Sequence, residues 1–162
     1  MTFRRAAAAV LAGGALLLLP SVARADITAF LGSLRTTTPQ SLKGVAVGGT
    51  LIVVGLEFEY ATAPEDIATS TPGLTTGLVS GVVKTPSSRA QFYVTIGAGL
   101  YRETRAAVTT TSTAGAVGGG VIVGLSGPLG VRVDYRVLTL KNSPNPDGGT
   151  RQRVYAGLNL KF

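Results

Sequence analysis

The residues in this chain best equipped for chemistry come in two groups with the same spacing: Glu57 and Glu59, and then Arg132, Asp134 and Arg136. On an extended strand, positions i and i+2 share a face about 6.5–7 Å apart. For the two glutamates this resembles the separation of an acid/base pair in glycoside hydrolysis. That role needs one carboxyl to keep its proton, and neighbouring arginines favour the ionised form of both. Any alternating strand bearing two glutamates makes the same geometry. The chain has no histidine and no cysteine, so it lacks the commonest general base and metal ligand, and it lacks a thiol nucleophile. The glycine runs GAGL and GGGVIVG have no following helix and no Lys-Ser/Thr, which a phosphate-binding loop requires. The expectation is a protein that is not an enzyme, with no catalytic, cofactor-binding or metal-binding residues.

The elements that position these groups are read from period-2 alternation, the mark of strands with one apolar and one polar face. In VVGLEFEY, Val54, Leu56, Phe58 and Tyr60 oppose Glu57 and Glu59. In QFYVTIGAGLYRE, Phe92, Val94, Ile96, Ala98 and Leu100 oppose Tyr93, Thr95 and Tyr101. VRVDYRV sets Val131, Val133, Tyr135 and Val137 against Arg132, Asp134 and Arg136, and RVYAGLNLKF sets Val154, Ala156, Leu158, Leu160 and Phe162 against Arg153, Tyr155 and Lys161. Weaker runs complete eight expected strands, near 26–34, 43–51, 53–61, 74–84, 91–103, 114–126, 131–140 and 151–162. In 74–84, Val79 and Val83 are expected outward with Thr76, Ser80 and Lys84 inward. In 26–34 either Ile27, Ala29 and Leu31 or the Phe30 side could face out.

Before these strands, MTFRRAAAAVLAGGALLLLPSVARA has a basic start at Arg4 and Arg5, an apolar run and a small-x-small site at Ala23 to Ala25. This is the pattern of a secretory signal peptide, expected to be cut after Ala25. The apolar run is too short, and too interrupted by Gly13, Gly14 and Pro20, for a spanning helix. Residues 26–162 then form one domain. The full chain has 15 basic and 8 acidic residues. Three of the basic ones leave with the signal, so the excess falls to about +4, scattered singly, which does not suit nucleic-acid binding.

Connections sort by length. RTTTPQSL, ATAPEDIATSTPG, TRAAVTTTST and KNSPNPDGGT read as long and polar, while those near Leu51-Ile52, at TPSSRA and at GPLG read as tight. Alternating long and short hairpins point to a closed up-and-down barrel with two unlike ends. Alternation alone does not say which face is the interior. The polar faces of several strands carry only Gly, Thr, Ser or Tyr, small fillers suited to a narrow interior that must also hold large charged neighbours. Glycine on a solvent-facing surface would only weaken a strand. The faces are therefore read as inverted, apolar outward. Glu57, Glu59, Tyr93, Tyr101, Arg132, Asp134, Arg136 and Arg153, with Glu103 and Lys161, become an interior polar network in which orphaning one charge costs roughly 3–5 kcal/mol.

The signal-like start, the eight alternating strands, the loop sorting and the terminal aromatic of LNLKF resemble the small bacterial outer-membrane β-barrel proteins, the OmpA-like transmembrane group. The resemblance spans residues 26–162. It implies an eight-stranded antiparallel transmembrane barrel with both termini periplasmic. It also implies outer-membrane lipid as surroundings, a monomer, and a structural or interaction role in the envelope. It further implies that Tyr155, Leu158, Leu160 and Phe162 belong to an element read by the outer-membrane assembly machinery. Two alternatives stay open: a narrow channel or carrier for small solutes, and a soluble periplasmic lipocalin-like binder with its faces reversed.

Overall fold

A computed structural model describes residues 23–35, 39–66, 71–87, 89–105, 108–143 and 149–162. Most of the expected signal segment lies outside them. Eight strands follow in order: β1 (Ala23–Arg35), β2 (Pro39–Leu51), β3 (Val54–Ala63), β4 (Gly73–Lys84), β5 (Ala90–Arg105), β6 (Val108–Ser126), β7 (Leu129–Leu140) and β8 (Thr150–Lys161). Each pairs antiparallel with the next. β8 returns to β1 from Asp26↔Lys161 to Arg35↔Gln152, which closes the barrel. Closure gives every strand two neighbours and leaves no sheet edge along the wall.

The strand pattern predicts the faces well. Phe92 and Leu158 are 62% and 57% exposed, whereas Glu57 and Arg132 are 2% and 1% exposed. Val79 and Val83 point out and Thr76, Ser80 and Lys84 point in. In β1, Ile27 and Leu31 face out while Thr28, Phe30 and Leu34 face in. A soluble carrier with an apolar lumen would have Phe92 and Leu158 at its centre, so the lipocalin-like alternative does not fit this arrangement.

The sorting of connections is corrected. RTTTPQSL and TRAAVTTTST are mainly strand: β1 runs to Arg35 with β2 starting at Pro39, and β5 runs to Arg105 with β6 starting at Val108. Threonine is β-branched and strand-compatible, and Thr104 and Thr109 to Thr111 continue the paired strands β5 and β6. The Thr104 and Thr109 hydroxyls lie 3.4 Å apart across the second hairpin. At the opposite end, β2 and β3 are joined through Ile52, which adopts a left-handed φ of 57°, and β6 and β7 through Gly127 at φ 54°. Glycine takes that conformation freely; a β-branched isoleucine does so at a cost.

Candidate functional site

β3 and β7 stand on opposite walls of an eight-strand ring, four positions apart. The glutamates of the first and the arginines of the second meet across the lumen. Arg132 forms an ion pair with Glu57 through Nη1, and its Nη2 donates to Glu57 Oε1 at 3.2 Å. Arg136 Nη2 donates to the same oxygen at 2.6 Å, its Nε donates to Asp134 Oδ1 at 3.0 Å, and its Nη1 lies 3.2 Å from Glu59 Oε2. Arg153 on β8 reaches Glu59 Oε1 at 2.6 Å. Tyr93 on β5 donates to Asp134 and accepts from Arg132 Nε at 2.7 Å. The Arg132 guanidinium also lies over the Tyr93 ring, 4.5 Å from its centroid. All of these side chains are buried. Three carboxylates meet three guanidinium groups, so the formal charges of the cluster cancel.

Room for these long side chains is made on β6, where Gly118 pairs with Arg136 and Gly120 with Asp134. A Cβ on Gly118 would sit 2.6 Å from Arg136 Cγ, and one on Gly120 would sit 2.6 Å from Tyr93 Oη. The GGG run is thus a clearance, not a phosphate loop.

The interior is layered along the axis. Toward the end of the barrel where β1 meets β2, Leu34, Leu42, Leu74, Leu138 and Leu140 pack inward with Tyr101 as part of an apolar cluster. Tyr101 therefore stands apart from the charged cluster of β3 and β7, its hydroxyl donating to the Lys141 carbonyl at 2.8 Å. Glu103 and Arg151 pair near this end at 3.6 Å. The charged cluster occupies the middle. At the end carrying the chain's last residue, Asp26 pairs with Lys84, Asn159 donates to Thr28 at 2.9 Å, and Lys161 donates to Gln91 at 2.7 Å. Asp26, Lys84, Gln91 and Lys161 line a recess of about 310 Å³.

The structure brings together Glu57, Glu59, Tyr93, Arg132, Asp134, Arg136 and Arg153 from the sequence-expected set, with Tyr155 beside them. Tyr155 is buried and stacks on Phe30 with ring centroids 4.0 Å apart. Leu158, Leu160 and Phe162 lie on the outer face. The sequence reading missed the leucine plug and the Asp26–Lys84 pair. The parity of 74–84 already placed Lys84 inward and was the signal for the pair; the leucines carried none, because Leu34 and Leu42 lie in runs taken for loop or strand end.

No protein-family model matches the sequence, and no curated protein matches it. Solved structures do share the fold. Neisserial surface protein A superposes with a TM-score of 0.68 at 13% identity, over 88% of this chain and 98% of that one. The N-terminal β-barrel domain of Pseudomonas aeruginosa OprF gives 0.64 at 16% identity, over 86% and 97%. The outer membrane enzyme PagL gives 0.53 at 8% identity, over 83% and 98%. The chain has the eight-stranded antiparallel barrel fold of these proteins. Because one of them is an enzyme, the fold by itself does not decide whether this chain catalyses a reaction.

Proposed function

We propose that this chain is an integral barrel of the bacterial outer membrane, exported by residues 1–25 and sealed through its lumen, with a structural or interaction role carried by its long-hairpin end. The observation that carries this reading is the inverted burial: isolated apolar side chains on a soluble surface need no explanation, but a continuous apolar wall around a charged interior does. On β5 that wall runs from Phe92 to Leu100. Eight residue steps at about 3.4 Å, tilted by about 40°, make a belt roughly 20 Å tall, close to the apolar band of roughly 25 Å of such barrels. Closure also satisfies the backbone without water, as lipid requires. Cleavage after Ala25 would leave β1 starting at Asp26 and free of its first three pairings, Ala23 to Ala25 with Leu51 to Gly49.

An interaction or structural role is favoured over a channel by ion pairs that join opposite walls and by a buried leucine cluster inside the barrel beside them. In this reading Leu158, Leu160 and Phe162, with Tyr155 on the inner face, form the terminal element presented to the assembly machinery. The test is to refold the chain into detergent micelles and run it unheated and boiled on a gel. A compact, faster-migrating unheated band that resists carbonate extraction from membranes is expected. Release into the soluble fraction, or a single mobility with and without heating, overturns the proposal. Planar-bilayer recordings should show no discrete conductance steps.

A further inference from the structure

A groove of about 740 Å³ crosses the outer wall, running over β7, β8, β1, β2 and β3. Its floor is low because Ala29 and Ala156 stand where neighbouring outward positions carry Leu31 and Leu158, and it ends against Lys43, Tyr60 and Thr62. Its walls are almost wholly apolar apart from this end. Four strand intervals at about 4.8 Å make it roughly 19 Å long.

Lys43 marks the place where the apolar belt stops. On β2 the outward residues below it are Val45 and Val47, and above it Ser41. It stands in register with Thr62, which pairs with Thr75, which pairs with Arg102. The Thr62 and Thr75 hydroxyls lie 3.2 Å apart. In the other direction the same row passes through Leu31, Ala156 and Val133, so it climbs the tilted wall, apolar on β1, β8 and β7 and polar from Lys43 onward. Every strand carboxylate among the described residues, namely Asp26, Glu57, Glu59, Glu103 and Asp134, is buried inside the barrel. Lys43 is exposed, and no ion pair to it exists among the described residues. The Lys43 ammonium, at the edge of a lipid-facing groove and with no ion pair among the described residues, is placed to meet an anionic group from the surroundings.

We propose that the groove and Lys43 form a site for one acidic, phosphate-bearing lipid, its acyl chain in the groove and its headgroup phosphate on the Lys43 ammonium with the Thr62 hydroxyl beside it. The site rests on the transmembrane reading above. It is a defined location and not a diffuse attraction, because Arg102 shares the register row yet stands three strands away and has no part in the groove.

The experiment is native mass spectrometry of the micelle-folded barrel titrated with phosphatidylglycerol or phosphatidylcholine of matched chains. Folding is first checked by heat-dependent gel mobility. The wild type should retain one phosphatidylglycerol with about tenfold preference over phosphatidylcholine. Lys43→Gln should reduce that preference to within about twofold while Lys43→Arg keeps it. Ala156→Leu, which fills the groove from an exposed position, should lower retention of both lipids, and Arg102→Gln should leave retention unchanged. Wild-type preference in Lys43→Gln, wild-type retention in Ala156→Leu, or equal losses in Lys43→Gln and Arg102→Gln would each overturn the site while leaving the barrel's insertion intact. A chain that never acquires the heat-dependent mobility overturns the transmembrane reading itself.

Discussion

Replacing Arg132 with methionine removes one of three guanidinium groups from a buried cluster of three carboxylates. Arg132 holds Glu57 through two contacts, approaches Asp134 at 3.3 Å and donates to Tyr93. Without it, Glu57 keeps only Arg136, and the interior carries one uncompensated negative charge. Breaking a buried pair by removing one partner costs about 3–5 kcal/mol. At about 1.4 kcal/mol per factor of ten, that lowers the folded-to-unfolded ratio by roughly two to three and a half orders of magnitude. The assay is the urea dependence of the heat-modifiable band in micelles, with midpoint and slope fitted together so that a change in stability is separated from a change in exposed area. The informative partner is the double variant Arg132→Met with Glu57→Gln, in which the charges again cancel. It should recover more than half of the loss, because a neutral pair no longer needs a buried counter-charge. If Arg132→Met stays within about 0.5 kcal/mol of the wild type, or if the double variant shows the plain sum of the two single losses, the cluster is not a coupled ionic unit.

Three further outcomes follow from the geometry. Ile52 is exposed with a left-handed φ of 57°. Since that conformation costs an ordinary L-residue roughly 1–2 kcal/mol and asparagine tolerates it, Ile52→Asn should raise the urea midpoint by an amount equivalent to about 1 kcal/mol; a lowered midpoint contradicts the strain. Gly120→Ala would drive a methyl into the Val133 carbonyl oxygen and against the Tyr93 hydroxyl, and overpacking of this kind should cost about 3 kcal/mol or more in the same titration. Phe162 is exposed beyond the last strand. Phe162→Ala should cut the yield of assembled protein in cell envelopes severalfold while refolding into micelles proceeds nearly as for the wild type, and equal losses in both would make the residue merely structural.

Much of this architecture is legible in the sequence because a barrel wall writes its two environments into alternate residues. Glu57 and Glu59 opposite Phe58, or Arg132 and Asp134 opposite Val133, leave one choice of face per strand, and a single inversion then orients them all. Where both faces of a strand are apolar, the alternation loses its contrast. That is why β1, with Ile27 and Leu31 outward but Phe30 and Leu34 inward, has no orientation legible from its alternation. The run at 104–113 reads as a loop because polarity marks turns and solvated strands alike; only the pairing of Thr104 with Thr109 and of Arg102 with Thr111 separates the two. The partnership of Glu57 with Arg132 and Arg136 lies further from view still. Those residues are 75 and 79 positions apart, and they meet only because ring closure puts the third strand across from the seventh.

The central claim is that the apolar wall faces lipid. Nitroxide labels placed singly along the outward face of β5, at Phe92, Val94, Ile96, Ala98, Leu100 and Arg102 in the bilayer-reconstituted barrel, test it without touching the interior. High oxygen accessibility with low accessibility to a water-soluble nickel chelate from Val94 to Leu100, reversing at Arg102, is the profile predicted here. High chelate accessibility at every one of those positions would contradict it.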